Sequence, residues 1–320
     1  MKQKITKTLS ILLPLAVGVF LIIYTYNKFS PEQQKELLHS FSTANYIYIY
    51  GALLVGLSGF WARAYRWKYT LGHMGYTAPM PVRFTAVCVT YLMNMVIPRS
   101  GEVSRAMVIN KYGNVPFDKA LGTIISERVV DLILLMVCMG ATIAFKLDEL
   151  KEYLIQNVPF QKLLVYGLTA AVLFVSVILF YMHSKATWLA KLKQKISGVT
   201  EGALSVCKMP NKWPFLLLSV YIWFTYVLVF FVSIYAIPET SELNFGTVLV
   251  AFVIGSLAIT FTNGGVGFFP VAVANVLAAY GVPFTAGTAF GWIVWTAQVA
   301  LTIFLGTFSF LSLSLFYKRK

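Results

Sequence analysis

Glu127, Arg128 and Asp131 stand inside an apolar run, Leu121 to Phe145, that holds no other charged residue. An ionised side chain near the centre of a bilayer costs about 2.5–3.5 kcal/mol on insertion scales, so these groups must face protein or a water-filled path rather than acyl chains. On a helix Glu127 and Asp131 share a face at i and i+4, and Arg128 reaches Asp131 at i+3. Two roles fit this arrangement: an ion pair that locks helices together, or a polar lining for a charged cargo.

A second group is the run Pro98-Arg99-Ser100-Gly101-Glu102-Val103-Ser104-Arg105. A helix that restarts at about Glu102 presents free backbone N–H groups, and with Arg99 and Arg105 beside them it offers a place for a phosphate. The same arginines also suit an anchor to anionic lipid or a pairing with Glu102. A third stretch, Asn263-Gly264-Gly265-Val266-Gly267, is a glycine-rich bend before a helix. Its N–H groups could meet an anion, and close helix packing asks for the same residues. No Ser/His/Asp set, metal-ligand spacing or nucleotide loop accompanies these motifs, so neither a catalytic residue nor a metal or cofactor is expected. The cysteines Cys88, Cys138 and Cys207 have no CxxC spacing and read as packing residues.

The elements that must position these residues follow from composition. At 58% hydrophobic and 12% charged residues, the chain lies far from the roughly 25% charged of a soluble domain. Its net charge of +14 does not point to nucleic acid, because the basic residues sit between apolar runs instead of on one soluble face. Each long apolar run must be a helix, since lipid leaves no partner for open backbone groups. The reading is an all-α integral membrane protein, one polytopic domain over 1–320. Full spans are expected near 9–26, 46–67, 120–145, 163–182, 213–237 and 286–316. The first is kept as a retained helix because Tyr24-Thr25-Tyr26-Asn27 offers no small-residue cleavage site.

Twenty of the 26 basic residues fall in 1–8, 62–83, 98–119, 183–212 and 318–320, and five fall in 27–45, 146–162 and 238–245. By the positive-inside rule both termini are then cytoplasmic, in a bacterial-type inner membrane. That arrangement forces 84–119 to leave and re-enter on one side. The fifteen residues from Phe84 to Pro98 span only about 22 Å as a helix, short of a hydrocarbon core of about 30 Å. Residues 84–111 therefore read as a re-entrant hairpin, and 246–280 as a second one entering from the other side; if the hairpins cross fully, the spans number eight. Tyr112-Gly113-Asn114-Val115-Pro116-Phe117 follows the first break and Tyr280-Gly281-Val282-Pro283-Phe284 the second. The pattern suggests inverted repeats over about 46–145 and 213–316, a transporter signature with the substrate site between the repeats.

Together these residues resemble the lysylphosphatidylglycerol synthase transmembrane-region, or flippase-like, family. The resemblance rests on Asn94-Met95-Val96-Ile97-Pro98-Arg99-Ser100-Gly101-Glu102 with Arg105, on Glu127-Arg128 with Asp131, and on Gly264-Gly265-Val266-Gly267, and it spans nearly the whole chain. It implies a membrane domain that binds or moves lipids, in some members aminoacylated phosphatidylglycerol. Two departures bear on the headgroup: Phe269-Pro270 replaces an acidic residue that often follows the Gly-Gly motif, and the arginine often found in the last span is replaced around Trp295 to Gln298. No aminoacyl-transferase domain precedes Lys320, so lipid synthesis is not expected. The leading expectation is a lipid transporter whose substrate site draws on all three motifs, with membrane lipids as partners, no nucleic acid, and a homo-oligomer or a lipid-modifying enzyme as further partners. An enzyme subunit acting on polyprenyl-linked sugars, with Glu127 or Asp131 as base, and a non-transporting scaffold are the alternatives.

Overall fold

The computed structural model describes residues 20, 23–97, 100–145, 206, 209–262 and 264–316, and every regular element among them is helical. The protein is an all-α membrane protein. In chain order the helices are α1 Pro31–Thr43, α2 Tyr46–His73, α3 Met80–Val96, α4 Gly101–Gly113, α5 Phe117–Phe145, α6 Lys212–Ser233, α7 Phe245–Phe261, α8 Phe268–Ala279 and α9 Phe284–Phe316. Four of these, α2, α5, α6 and α9, are long and apolar enough to cross a membrane. They match the expected spans 46–67, 120–145, 213–237 and 286–316, except that α2 continues to His73. The expected span 163–182 and most of 9–26 lie outside the described residues.

Local chemistry sets the boundaries. Helix α1 falls in a segment read from sequence only as an external connection. Ser30 accepts from the Gln33 N–H while the Gln33 side chain accepts from the Ser30 N–H, a capping box completed by Pro31 at the first position. Asn45 caps α2 and Asn244 caps α7 through their side chains.

Between the long helices lie two helical hairpins. Helix α3 has 17 residues and α4 has 13; α7 has 17 and α8 has 12. At about 1.5 Å per residue these arms reach roughly 18–26 Å, less than a hydrocarbon core of about 30 Å. The first hairpin breaks where Ile97 turns extended, at φ −129° and ψ 116°. The second breaks where Thr262 turns extended and Gly264, Gly265 and Gly267 adopt φ of 71°, 76° and 71°, a region open chiefly to glycine. The expected restart near Glu102 falls at Gly101. After each hairpin comes one residue at positive φ, Asn114 or Gly281, and the Phe of each Val-Pro-Phe opens the next long helix.

Packing repeats between the halves. Helix α2 runs antiparallel to α6, with Gly56 against Val229 and Gly59 so close that an added Cβ would stand 2.7 Å from Thr225 Oγ1. Helix α3 lies along α9, where Gly306 meets Leu92, and α7 lies along α5, where Phe245 meets Phe145 edge to face. Helix α4 packs on α5, and α8 packs on α9, with Gly287 against Ala274 and Gly291 against Pro270. One apolar cluster fills the second half around Val248, Phe269, Val273 and Phe290. Another fills the first half around Trp67, Val82, Ala86, Ile109 and Ile124, joined by Leu313 of α9.

One part of the charge reading changes. Arg63, Arg66, Arg83 and Arg105 are counted among loop charges above, yet all four are buried on helices. Setting them aside leaves the basic excess on the same side, because the rest still outnumber the five residues opposite.

Candidate functional site

The charged side chains of α2, α4 and α5 converge on one network. Helix α2 contributes Arg63 and Arg66 from adjacent turns, α4 contributes Glu102 and Arg105, and α5 contributes Glu127, Arg128 and Asp131. Asp131 receives Arg63 Nη1 at 2.8 Å on Oδ2 and Arg66 Nη1 at 2.9 Å on Oδ1. Glu127 Oε2 receives Arg66 Nη2 at 3.2 Å and Arg105 Nη1 at 2.9 Å. Arg66 thus bridges two carboxylates one turn apart, as the i and i+4 spacing allows. Arg128 reaches Glu102 at 3.1 Å and Asp131 at 3.6 Å, as expected of a charge that cannot face lipid alone.

Neutral groups extend the network into the second half. Arg66 Nη1 also donates to Ser219 Oγ at 2.9 Å, and Arg63 Nη2 donates to the Tyr226 hydroxyl at 2.9 Å, both on α6. The Tyr226 hydroxyl is 3.0 Å from that of Tyr91 on α3. Aromatic faces cover the cations: Arg105 lies 3.8 Å above the Trp67 ring and Arg66 5.2 Å from that of Phe215. Trp67 is itself oriented by donating to Thr123 Oγ1 at 2.9 Å.

Burial divides the network into a sealed part and an open end. Glu127 and Arg66 are 0% exposed and Arg105 1%, whereas the side chains of Arg128 and Glu102 are 38% and 28% exposed. Four arginines meet three carboxylates here. Several polar atoms find no hydrogen-bond partner: Nε of Arg63, Arg66, Arg105 and Arg128, Nη2 of Arg105, and Oε1 of Glu127. Removing one member of such a buried pair strands the other charge, at a cost of about 3–5 kcal/mol.

The other candidate residues divide as follows. Asn94 Oδ1 accepts from the Gly101 N–H at 2.7 Å and so closes the first break; a Cβ on Gly101 would collide with the Thr90 carbonyl. Arg105, expected beside a phosphate, is turned inward onto Glu127 and Trp67. At the second break the Gly264 carbonyl accepts from Trp295 Nε1 at 2.8 Å, Gly265 N–H donates to Thr262 Oγ1, and Gly267 precedes α8. Trp295 thus ties α9 to the second break. Among the described residues no hydrogen bond or ion pair joins this break to the charged network. Pro98, Arg99 and Asn263 lie outside the described residues.

Sequence reasoning missed Arg63, Arg66, Trp67, Tyr91, Ser219 and Tyr226 as site residues. For the two arginines a signal existed: they sit at i and i+3 in an apolar run, a spacing that complements Glu127 and Asp131. Cutting the span near 67 placed them at its cytoplasmic end. Among the described residues no group of His, Cys, Asp and Glu could hold a metal ion.

Comparison with known proteins places residues 11–306 within the family model described as the lysylphosphatidylglycerol synthase TM region. No curated protein and no solved structure matches.

Proposed function

This chain belongs to the lysylphosphatidylglycerol synthase TM-region family, and from that premise we propose that it binds the headgroup of an anionic or aminoacylated phospholipid and moves it between leaflets. The observation that carries the proposal is the open end at Arg128 and Glu102 of a network otherwise sealed inside the helices. A headgroup entering hydrocarbon loses its hydration, and fixed charges at such an opening lower that cost. The sealed members hold Arg128 and Asp131 in place; their partners on α6 link this half to the other through hydroxyls.

The alternation of long helix, hairpin and long helix, with α2 antiparallel to α6, supports two inverted repeats over about 46–145 and 213–316. The short hairpin arms support re-entry of each hairpin from its own side. On this reading the protein lies in the cell membrane with both termini cytoplasmic, acts as a transporter and not as an enzyme, and has lipids as its partners.

The test is reconstitution in liposomes with labelled phosphatidylglycerol, lysylphosphatidylglycerol and phosphatidylethanolamine, scoring transfer between leaflets. Transfer of at least one of these faster than in protein-free liposomes is the expected result. Transfer of none would leave the network as a lock between helices.

A further inference from the structure

Resting on that reading, we infer that Glu102 is a built-in competitor for the headgroup phosphodiester on Arg128. A guanidinium binds an oxyanion best along one edge, where two parallel N–H groups meet two oxygens. One edge of the Arg128 guanidinium consists of Nε and Nη2. Glu102 Oε1 occupies Nη2 at 3.1 Å, whereas Nε is buried and makes no hydrogen bond. The edge is therefore half used. Two non-bridging phosphodiester oxygens would fill both positions.

The surroundings favour exchange at this position over any other in the network. Arg128 and Glu102 come from different helices and are the most exposed of its charged side chains. Arg105 is 1% exposed and commits Nη1 to Glu127. Asp131 Oδ2 stands 3.6 Å from Nη1 of Arg128, so the guanidinium keeps one ion pair when Glu102 leaves. Glu102 lies in the first turn of α4, where the helix N-terminus favours a carboxylate that has lost its arginine. The ligand chemistry is an oxyanion with two equivalent oxygens, carried by a phospholipid or by free phosphate.

The full chain in maltoside micelles, which carry no phosphate, is titrated with phosphatidylglycerol, with inorganic phosphate and with diacylglycerol, and its thermal midpoint is recorded alongside. Glu102→Gln should tighten phosphatidylglycerol binding by roughly threefold, the scale of releasing one exposed ion pair. Glu102→Asp, which keeps the charge on a shorter arm, should act in the same direction and serves if the first variant does not fold. Arg128→Lys should weaken binding by about tenfold because lysine lacks the two-pronged edge. A purely structural pair would tolerate lysine and would gain nothing from Glu102→Gln.

Tightening for phosphatidylglycerol but not for inorganic phosphate supports the inference with a lipid headgroup as the source; tightening for both supports it with the bare oxyanion as sufficient. Unchanged or weaker phosphatidylglycerol binding in folded Glu102 variants overturns it, as does an equal gain for diacylglycerol. A wild-type protein that shows this competition yet moves no lipid between leaflets would overturn the transport reading alone.

Discussion

Arg66 Nη1 stands 2.9 Å from Asp131 Oδ1, and this pair ties α2 to α5 at a depth where Arg66 meets no solvent. Arg66→Met should therefore lower stability by about 3–5 kcal/mol, because it takes a buried guanidinium from both Asp131 and Glu127 and leaves each carboxylate with fewer partners. Asp131→Asn should cost less in this background than it does alone, because the ion pair between the two side chains is already gone. Thermal unfolding of the four proteins of the cycle in detergent checks this, and strictly additive losses would deny the coupling.

Arg105 over the Trp67 ring is a desolvated cation–π contact, a type worth about 2 kcal/mol. Trp67→Leu should cost at least that, since it also frees Thr123 Oγ1 from its donor. Trp67→Phe keeps a ring face and should cost less. The order of the two midpoints is the measurement, and equal midpoints would remove the ring from the account.

The close approach of Gly59 to Thr225 sets the spacing of α2 and α6. Gly59→Val should cost about 1–3 kcal/mol through overpacking. Thr225→Ala removes the obstructing oxygen and should restore part of the loss. A denaturation series on the single and double variants decides whether these positions meet.

Membrane orientation is open to labelling of single cysteines in a cysteine-free background. Gln33 and Gln156 should react from outside, while Ile97, at the tip of the first hairpin, should be shielded from external reagent if the hairpin re-enters from the cytoplasm. Cytoplasmic labelling of both glutamine positions would reverse the topology. External labelling of Ile97 would mean that α3 and α4 cross.

Much of the framework was legible from residue types alone. Apolar runs of membrane length located α2, α5, α6 and α9, because lipid leaves the backbone no alternative to the helix. The extended break near Pro98, the glycine bend before α8 and the two Val-Pro-Phe starts were likewise written locally, in residues with narrow backbone preferences. That Glu127, Arg128 and Asp131 need partners followed from the cost of charge in hydrocarbon.

Which partners they take was decided only by the packing of helices distant in sequence. Asp131 meets Arg63 and Arg66 from 68 and 65 positions away, and Tyr226 meets Arg63 from 163. Local periodicity carries no information across such separations, since it records which face of a helix is polar and not which helix lies opposite. The same packing turned Arg105 inward and left Arg128 at the opening, a division that residue types alone do not dictate.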